Sequence, residues 1–426
     1  MKRTLLAACI AALGAGGALA ADAPKIDWSR IAPKDVLLFY PGQSSYEWLR
    51  SPAHKGADAQ VAKGDACTSC HDDADDIKGD GEKIVAGNKL EPRPVKGKNG
   101  WVDLKVQAAY DERNLYLRVQ WKTNAKQPGI EYPYYRFDGK DWKIHGFPRL
   151  DQVVQEGKQP GIYEDRFSFM LDDGKVPGFA QQGCWLTCHD GQRDMKGEGS
   201  GADARKFIDR ADVRKYMPAT RTNPSDWRTI RSKEELAKLK AEGGFLELIQ
   251  WRAHRSNPVG ASDDGYVLDF RSADDGKNPF SSNLDGKTKQ PRYMFDAAKF
   301  GAKAVSTAQV AGKGNFLVVG DNAVAFDPNA GWKEGDMLPR YYLQQPAGSA
   351  GDNKGSGTWA NGTWTVVVTR PLGLANPDDK SLKAGGSYSV GFAVHDDNIT
   401  TRGHFVSFPL MLGIGAKGDI EAVKLP

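Results

Sequence analysis

Two short clusters of cysteine and histidine carry the chemistry available to this sequence. Cys67-Thr68-Ser69-Cys70-His71 has the C-x-x-C-H spacing at which two thiols add to the vinyl groups of one porphyrin edge while the next residue offers an imidazole to iron. A redox dithiol or half of a zinc site uses the same cysteines, but zinc would need a second Cys or His pair nearby at matching spacing. Cys184-Trp185-Leu186-Thr187-Cys188-His189 carries one extra residue between its thiols. A bulged turn absorbs that residue, and the histidine after the second cysteine repeats. The alternatives there are a local disulfide or a buried pair of thiols. The expectation is two covalently bound c-type haems, on Cys67 and Cys70 and on Cys184 and Cys188, with His71 and His189 as axial ligands.

Each iron then needs a sixth ligand or keeps an open face, and that choice separates electron transfer from catalysis. His54 precedes Cys67 by thirteen residues, close enough to fold back over the opposite face of the first haem, so His54 pairs with His71. For the second haem the first choice is His254, just beyond the apolar run Phe245 to Trp251 and framed by Arg252 and Arg255, which can reach haem propionates. Met170 is the second choice. A solvent-facing loop histidine and ordinary core packing are the plain readings of these two residues.

The setting agrees with this chemistry. Lys2 and Arg3 precede an apolar stretch from Leu5 to Ala20 that closes on Ala18, Leu19 and Ala20, the pattern of a cleaved secretory signal peptide over residues 1–20. The address is the bacterial periplasm, where c-type haem is attached, and Cys9 leaves with the leader. No later window approaches about twenty uninterrupted apolar residues, so no membrane span is expected. The 426 residues are 40% hydrophobic and 26% charged with a net charge of +4 and both signs interspersed, which excludes a disordered tail and the basic stripe of a nucleic-acid binder.

The elements that must hold these clusters divide the chain into a segment over 21–95, carrying the first motif, and a β domain over 96–426. The first is irregular, with an acid-rich run from Asp72 to Glu82 that lacks EF-hand spacing and reads as a solvated loop. From Trp101 apolar residues alternate, and Val102, Leu104, Val106 and Ala108, then Leu115, Leu117, Val119 and Trp121 after a turn, predict a hairpin. Further strands are expected over Asp165–Leu171, Phe245–Trp251, Tyr266–Arg271, Asn315–Val319, Trp364–Thr369, Tyr388–His395 and His404–Leu412. The clearest helix is Lys233–Glu242, with Ser232 as N-cap and Glu235 completing a capping box. Many short strands joined by Gly, Asp and Pro turns make the chain mainly β and predict a β-sandwich.

Asp165-Arg166-Phe167-Ser168-Phe169-Met170, Cys184 to His189, Trp251-Arg252-Ala253 with Asn257-Pro258, Gly335-Asp336-Met337-Leu338-Pro339, Trp364 with Arg370-Pro371-Leu372, and His395-Asp396-Asp397 with His404-Phe405-Val406-Ser407 occur in an order that resembles the haem-binding domain of the ethylbenzene dehydrogenase γ-subunit type. The resemblance covers roughly residues 96–420. It implies an immunoglobulin-like β-sandwich holding one haem at its end and passing electrons to or from molybdenum enzymes. Members carry a non-covalent b haem with methionine and lysine ligands. This sequence departs from them by placing Cys184, Cys188 and His189 in the domain, and the motif from Cys67 to His71 is an addition.

The resulting expectation is a periplasmic dihaem cytochrome c that relays single electrons and is not an enzyme, with no catalytic residue. Its partner would be a redox protein, either a molybdoenzyme or a small periplasmic electron carrier, with no nucleic acid involved; a tightly held molybdoenzyme subunit is the same chemistry with a permanent partner. The alternative is a haem-based reductase or peroxidase with one open iron position, served by His395, His404 or Arg255.

Overall fold

The computed structural model describes residues 25–94, 97–123, 127–148, 152–310, 314–396 and 403–426. The signal peptide expected over 1–20 and Asp397 lie outside them. Thirteen strands form one continuous sheet: β1 (Lys34–Phe39), β2 (Trp101–Tyr110), β3 (Asn114–Lys122), β4 (Arg166–Asp172), β5 (Leu246–Arg252), β6 (Gly265–Val267), β7 (Arg271–Ala273), β8 (Lys354–Ala360), β9 (Thr363–Pro371), β10 (Gly386–His395), β11 (Phe405–Val406), β12 (Leu410–Ile414) and β13 (Ile420–Lys424). Strands β8-β9-β3-β2-β1 make one layer and β10-β4-β5-β6-β7 the other. Strand β11 joins β1 to β10, and β12 with β13 joins β10 to β2. On the opposite side a bridge between Ala261 and Lys354 brings the two outer edges together. The mainly β body and the largely irregular N-terminal segment agree with the sequence. The two layers differ from a sandwich of separate sheets in being hydrogen-bonded into one.

Alternation with period two explains both faces of this sheet. Phe167, Phe169 and Leu171 of β4, Ile249 and Trp251 of β5, and Val390, Phe392 and Val394 of β10 pack in one core with Leu104, Val106, Leu117, Val119, Trp121, Trp364, Val366 and Val368. The residues between them necessarily face the other way. Registers place Gly391, Met170 and Leu248 in one row, Ala393, Ser168 and Gln250 in the next, and His395, Arg166 and Arg252 in the third. This outer face becomes the floor of a cavity.

The β2–β3 hairpin turns on Asp111, whose Oδ1 accepts from the backbone N–H groups of Arg113 and Asn114 at 2.7 Å each while Oδ2 accepts from the Tyr116 hydroxyl at 2.7 Å. The helix Lys233–Ala241 has the expected capping box. Other expectations need correction. The acid-rich run is not a loop but the helix Ala74–Val85: Asp73 caps it by accepting from Asp75 N at 2.8 Å and Asp76 N at 3.0 Å, and Ile77, Ile84 and Val85 give it a buried stripe. Gly81 is required there because a Cβ would stand 2.1 Å from the Gly100 carbonyl oxygen. Residues 315–319 form only isolated bridges, because they run beside single residues at 323 and 343 instead of along a strand. Tyr266–Arg271 splits into β6 and β7, and His404–Leu412 breaks at Ser407–Pro409 into β11 and β12. Strand β1 was not anticipated; it pairs with β2 along its whole length and ties the N-terminal segment to the body.

Candidate haem sites

Cys67, Cys70, His71 and His54 line one cavity of 420 Å³ together with Phe39, Trp48, Leu49, Ile84, Trp185 and Phe408. A short 3-10 turn over Cys67–Ser69 brings the two thiols and the following histidine into it. Another, over Pro52–His54, folds the second histidine back from the N-terminal side, with Lys55 in the left-handed region to make the turn. The His54 and His71 rings are near-parallel at 6°, with centroids 6.3 Å apart. Imidazole nitrogens bond metals at about 2 Å and lie about 1 Å from their own ring centre, so two rings flanking one metal stand about 6 Å apart. His54 Nδ1–H donates to the Leu49 carbonyl at 3.1 Å, and His71 Nδ1 faces Asp80 Oδ2 at 3.9 Å, which leaves each Nε2 for a metal. Burial holds His71 below the ordinary imidazole range, in the neutral form that metals bind, and pushes the Cys67 thiol up to about 11. A thiol that stays protonated is a poor redox nucleophile.

The second motif lies on the outer face of β4, β5 and β10. Cys184 and Cys188 border a cavity of 100 Å³ with Met170, Met195, His395 and His404, and this adjoins a larger one of 640 Å³. Both share Arg166, Arg193, Arg214, Leu248, Gln250 and Arg271. Arg252 is held by Asp263 through Nε at 2.6 Å and Nη2 at 2.9 Å, and Arg255 by Glu164, but Arg166 and Arg271 make no ion pair with a carboxylate among the described residues. Burial lowers Arg166 to about 10, and burial followed by neighbouring arginines holds Arg271 well below the ordinary value. Two arginines without counter-charge, Arg166 buried and Arg271 half-buried, make a site for anionic groups, and haem propionates match it in charge and bidentate geometry.

His189 is fully buried in the turn that follows Cys188. Its Nδ1–H donates to Glu47 Oε1 at 2.7 Å, its ring stacks on Tyr216 at 3.9 Å, and no donor or acceptor among the described residues meets Nε2. A carboxylate fixing one nitrogen while the other stays bare is the usual arrangement behind a metal-binding histidine. His189 is not among the residues bordering the cavity of Cys184 and Cys188. His254 is also elsewhere: beyond β5 the chain turns at Ala253, Nδ1–H of His254 donates to the Ile130 carbonyl at 3.0 Å, and its ring packs against Phe316. The structure therefore brings Met170, and not His254, to the second pair of cysteines.

Several residues at these sites had no signal in the sequence. Glu47 and His189 are 142 positions apart, and Arg166 meets His395 Nε2 at 2.7 Å across 229 positions. Trp185 sits between Cys184 and Cys188, yet its ring lines the first cavity, stacks on Phe39 and Phe408, and donates through Nε1 to Ser44 Oγ at 2.9 Å. The two motifs are thus neighbours in space across one indole.

The family described as ethylbenzene dehydrogenase matches residues 26–407. Cytochrome c-552 of Stutzerimonas stutzeri is similar at 29% identity over 432 aligned positions, covering 100% of both chains. Cytochrome c-551 of Rhodocyclus tenuis is 27% identical over 223 positions, which cover 51% of this chain and 73% of that one. No helix among the described residues is long and apolar enough to cross a membrane.

Proposed function

The chain belongs to the ethylbenzene dehydrogenase family, and from that premise we propose that it is a periplasmic dihaem cytochrome c whose work is one-electron transfer. Cys67 and Cys70 would hold the first haem, and His71 and His54 would supply imidazoles to its iron. Cys184 and Cys188 would hold the second, His189 and Met170, in place of His254, would be its iron ligands, and Arg166 and Arg271 would take its propionates. The full-length similarity to a protein named cytochrome c-552 supports this reading. The observation that carries it is the pairing of His54 with His71, parallel and 6.3 Å apart in the cavity that also holds Cys67 and Cys70.

When bound, haem supplies reversible exchange between ferric and ferrous iron. The chain's own residues set the conditions of that exchange. Imidazoles on both sides of the first site leave no position for a substrate, and a thioether at the second raises its potential relative to a second imidazole. Trp185, Phe39 and Phe408 fill the space between the motifs with aromatic rings and keep water out. The proposed partner is another redox protein, a molybdoenzyme or a small electron carrier.

The test is exposure of the dithionite-reduced protein to carbon monoxide. An unchanged absorption spectrum is expected, since both irons are fully ligated, whereas rapid carbon monoxide binding by the wild-type chain would favour a haem reductase or peroxidase. That second reading draws on one feature, the stacked rings of His395 and His404 at 4.9 Å beside Arg166 in the second cavity.

A further inference from the structure

Five acids meet away from both cysteine motifs. Carboxylate oxygens of Glu247, Asp264 and Asp379 lie within 4.8 Å of one another, as do those of Asp274, Asp378 and Asp379, so Asp379 links the two groups into one cluster. None of the five is more than 7% exposed. Burying like charges this close is unfavourable unless something neutralises them. Arg370 pairs directly with Glu247, holding its two oxygens at 2.8 and 2.7 Å, and reaches Asp264 and Asp379 only through space. Lys380 is committed elsewhere, its Nζ lying 3.2 Å from Asp172 and 2.6 Å from Asp173. The other four acids form no ion pair among the described residues.

A second observation points to what is missing. Asn353, only 1% exposed, donates its amide to Asp264, while its own Oδ1 has no donor among the described residues. Oδ1 of Asp379 is equally bare, and the Asp274 carboxyl meets no partner but the neighbouring carboxyl of Asp264. The remaining oxygens are held by neutral donors: Ser349 Oγ reaches Asp378 at 2.9 Å and Asp379 at 3.1 Å, Asn376 reaches Asp379 at 2.8 Å, and Asp275 N reaches Asp378 at 2.9 Å. Hydrogen bonds thus occupy both oxygens of Asp264 and of Asp378 and Oδ2 of Asp379, and leave Oδ1 of Asp379 and Oδ1 of Asn353 open.

The donors are all oxygen, several carboxylates and one amide carbonyl, with neither cysteine nor histidine. That set suits a hard cation and not zinc or copper. Calcium accepts six to eight such oxygens in irregular geometry, whereas magnesium demands an octahedron and keeps its waters. We propose that Asp264, Asp274, Asp378, Asp379 and Asn353 form a calcium-binding site. It lies on the seam of the sheet: Asp264 and Asp274 flank the outermost strands β6 and β7 of one layer, and Asn353 precedes β8, the outermost strand of the other. A cation there adds a clasp to two edges that the Ala261–Lys354 bridge and a few hydrogen bonds, among them Ser262 N–H to the Asn353 carbonyl at 3.2 Å, already bring together.

The site does not depend on the haem reading, and its test is separate. The full-length haem-loaded protein, dialysed against EGTA, is titrated with CaCl2 and with MgCl2 while bound metal and melting temperature are followed. A single calcium ion per chain, with a rise in melting temperature larger than magnesium gives, is the expected result. Asp274→Asn and Asp379→Asn should each weaken calcium binding by about tenfold or more, at least the loss seen when an outer partner of a metal ligand is removed, with the haem absorption spectrum unchanged. Wild-type protein that takes up no calcium, and melts identically in CaCl2 and EGTA, would overturn the proposal and show that the carboxyls share protons instead. That measurement decides the matter even if a variant fails to fold.

Discussion

At His54 the decisive contact is the one made by Nδ1. Its hydrogen bond to the Leu49 carbonyl fixes the tautomer and turns Nε2 away from the backbone, so the imidazole is prepared for a metal by local chain geometry. His54→Ala should convert the first haem from low-spin to a form with an open face, which magnetic resonance and carbon monoxide binding will register; a variant that stays low-spin and inert would remove His54 as a ligand. Charge balance at Glu164 makes a different prediction. Burial pushes its carboxyl up, but Arg255, Arg252 and His254 together more than reverse this, so it lies below its ordinary value of 4.5. A folded pKa below the unfolded one stabilises the fold above the unfolded value, and that contribution is lost as pH falls through the folded pKa. Glu164→Gln should therefore flatten the acid limb of the stability profile and, by leaving the buried Arg255 without its carboxylate, cost about 3–5 kcal/mol at neutral pH in denaturant titrations. At this scale the sequence was most informative where residues are local: thiols three apart and the adjacent imidazole line one cavity, as their spacing suggests. Glu47 and Arg271 did not, because a charge acquires meaning only from partners that the fold supplies.

The helix Ala74–Val85 shows why elements are harder to read than motifs. Its acids suggested solvent, and they are indeed on the wet side, but they masked the stripe of Ile77, Ile84 and Val85 that docks the helix. Ile84 then lines the first cavity and Asp80 faces His71, so this helix supports the segment of the first cysteine motif directly. Asp73→Ala removes two capping bonds and should cost about 1 kcal/mol. Gly81→Ala should cost more, since a methyl group cannot share space with the Gly100 carbonyl and the helix must shift; a native-like stability for this variant, measured by urea unfolding, would contradict the close approach. Strand alternation was legible in β2, β3, β4, β5, β9 and β10, where one face packs into a deep core. It failed at residues 315–319, where Leu317 alone of the apolar side chains is buried and no continuous strand partner runs alongside, and it missed β1, whose Asp35 and Lys34 hide the pattern.

In the whole molecule, the N-terminal segment is not a separate attachment. Strand β1 joins the sheet, Glu47 braces His189, and Trp185 enters the first cavity from the second motif, so each site is completed by residues from the other part of the chain. Interdependence of this kind predicts that Trp185→Ala changes the spectra of both haems, whereas a change confined to one would show that the sites are independent. The sequence indicated a mainly β body and two cysteine-histidine centres; it was silent on the closure of the layers, which rests on pairings between distant strands. The account as a whole depends on porphyrin being joined covalently at both centres. Intact mass of the purified full-length protein, taken with a pyridine haemochrome assay, tests this most directly: two haems per chain are predicted, falling to one in Cys184→Ser with Cys188→Ser. A single haem on the unaltered chain, or pigment that acid extraction removes to leave an unmodified polypeptide, would contradict it.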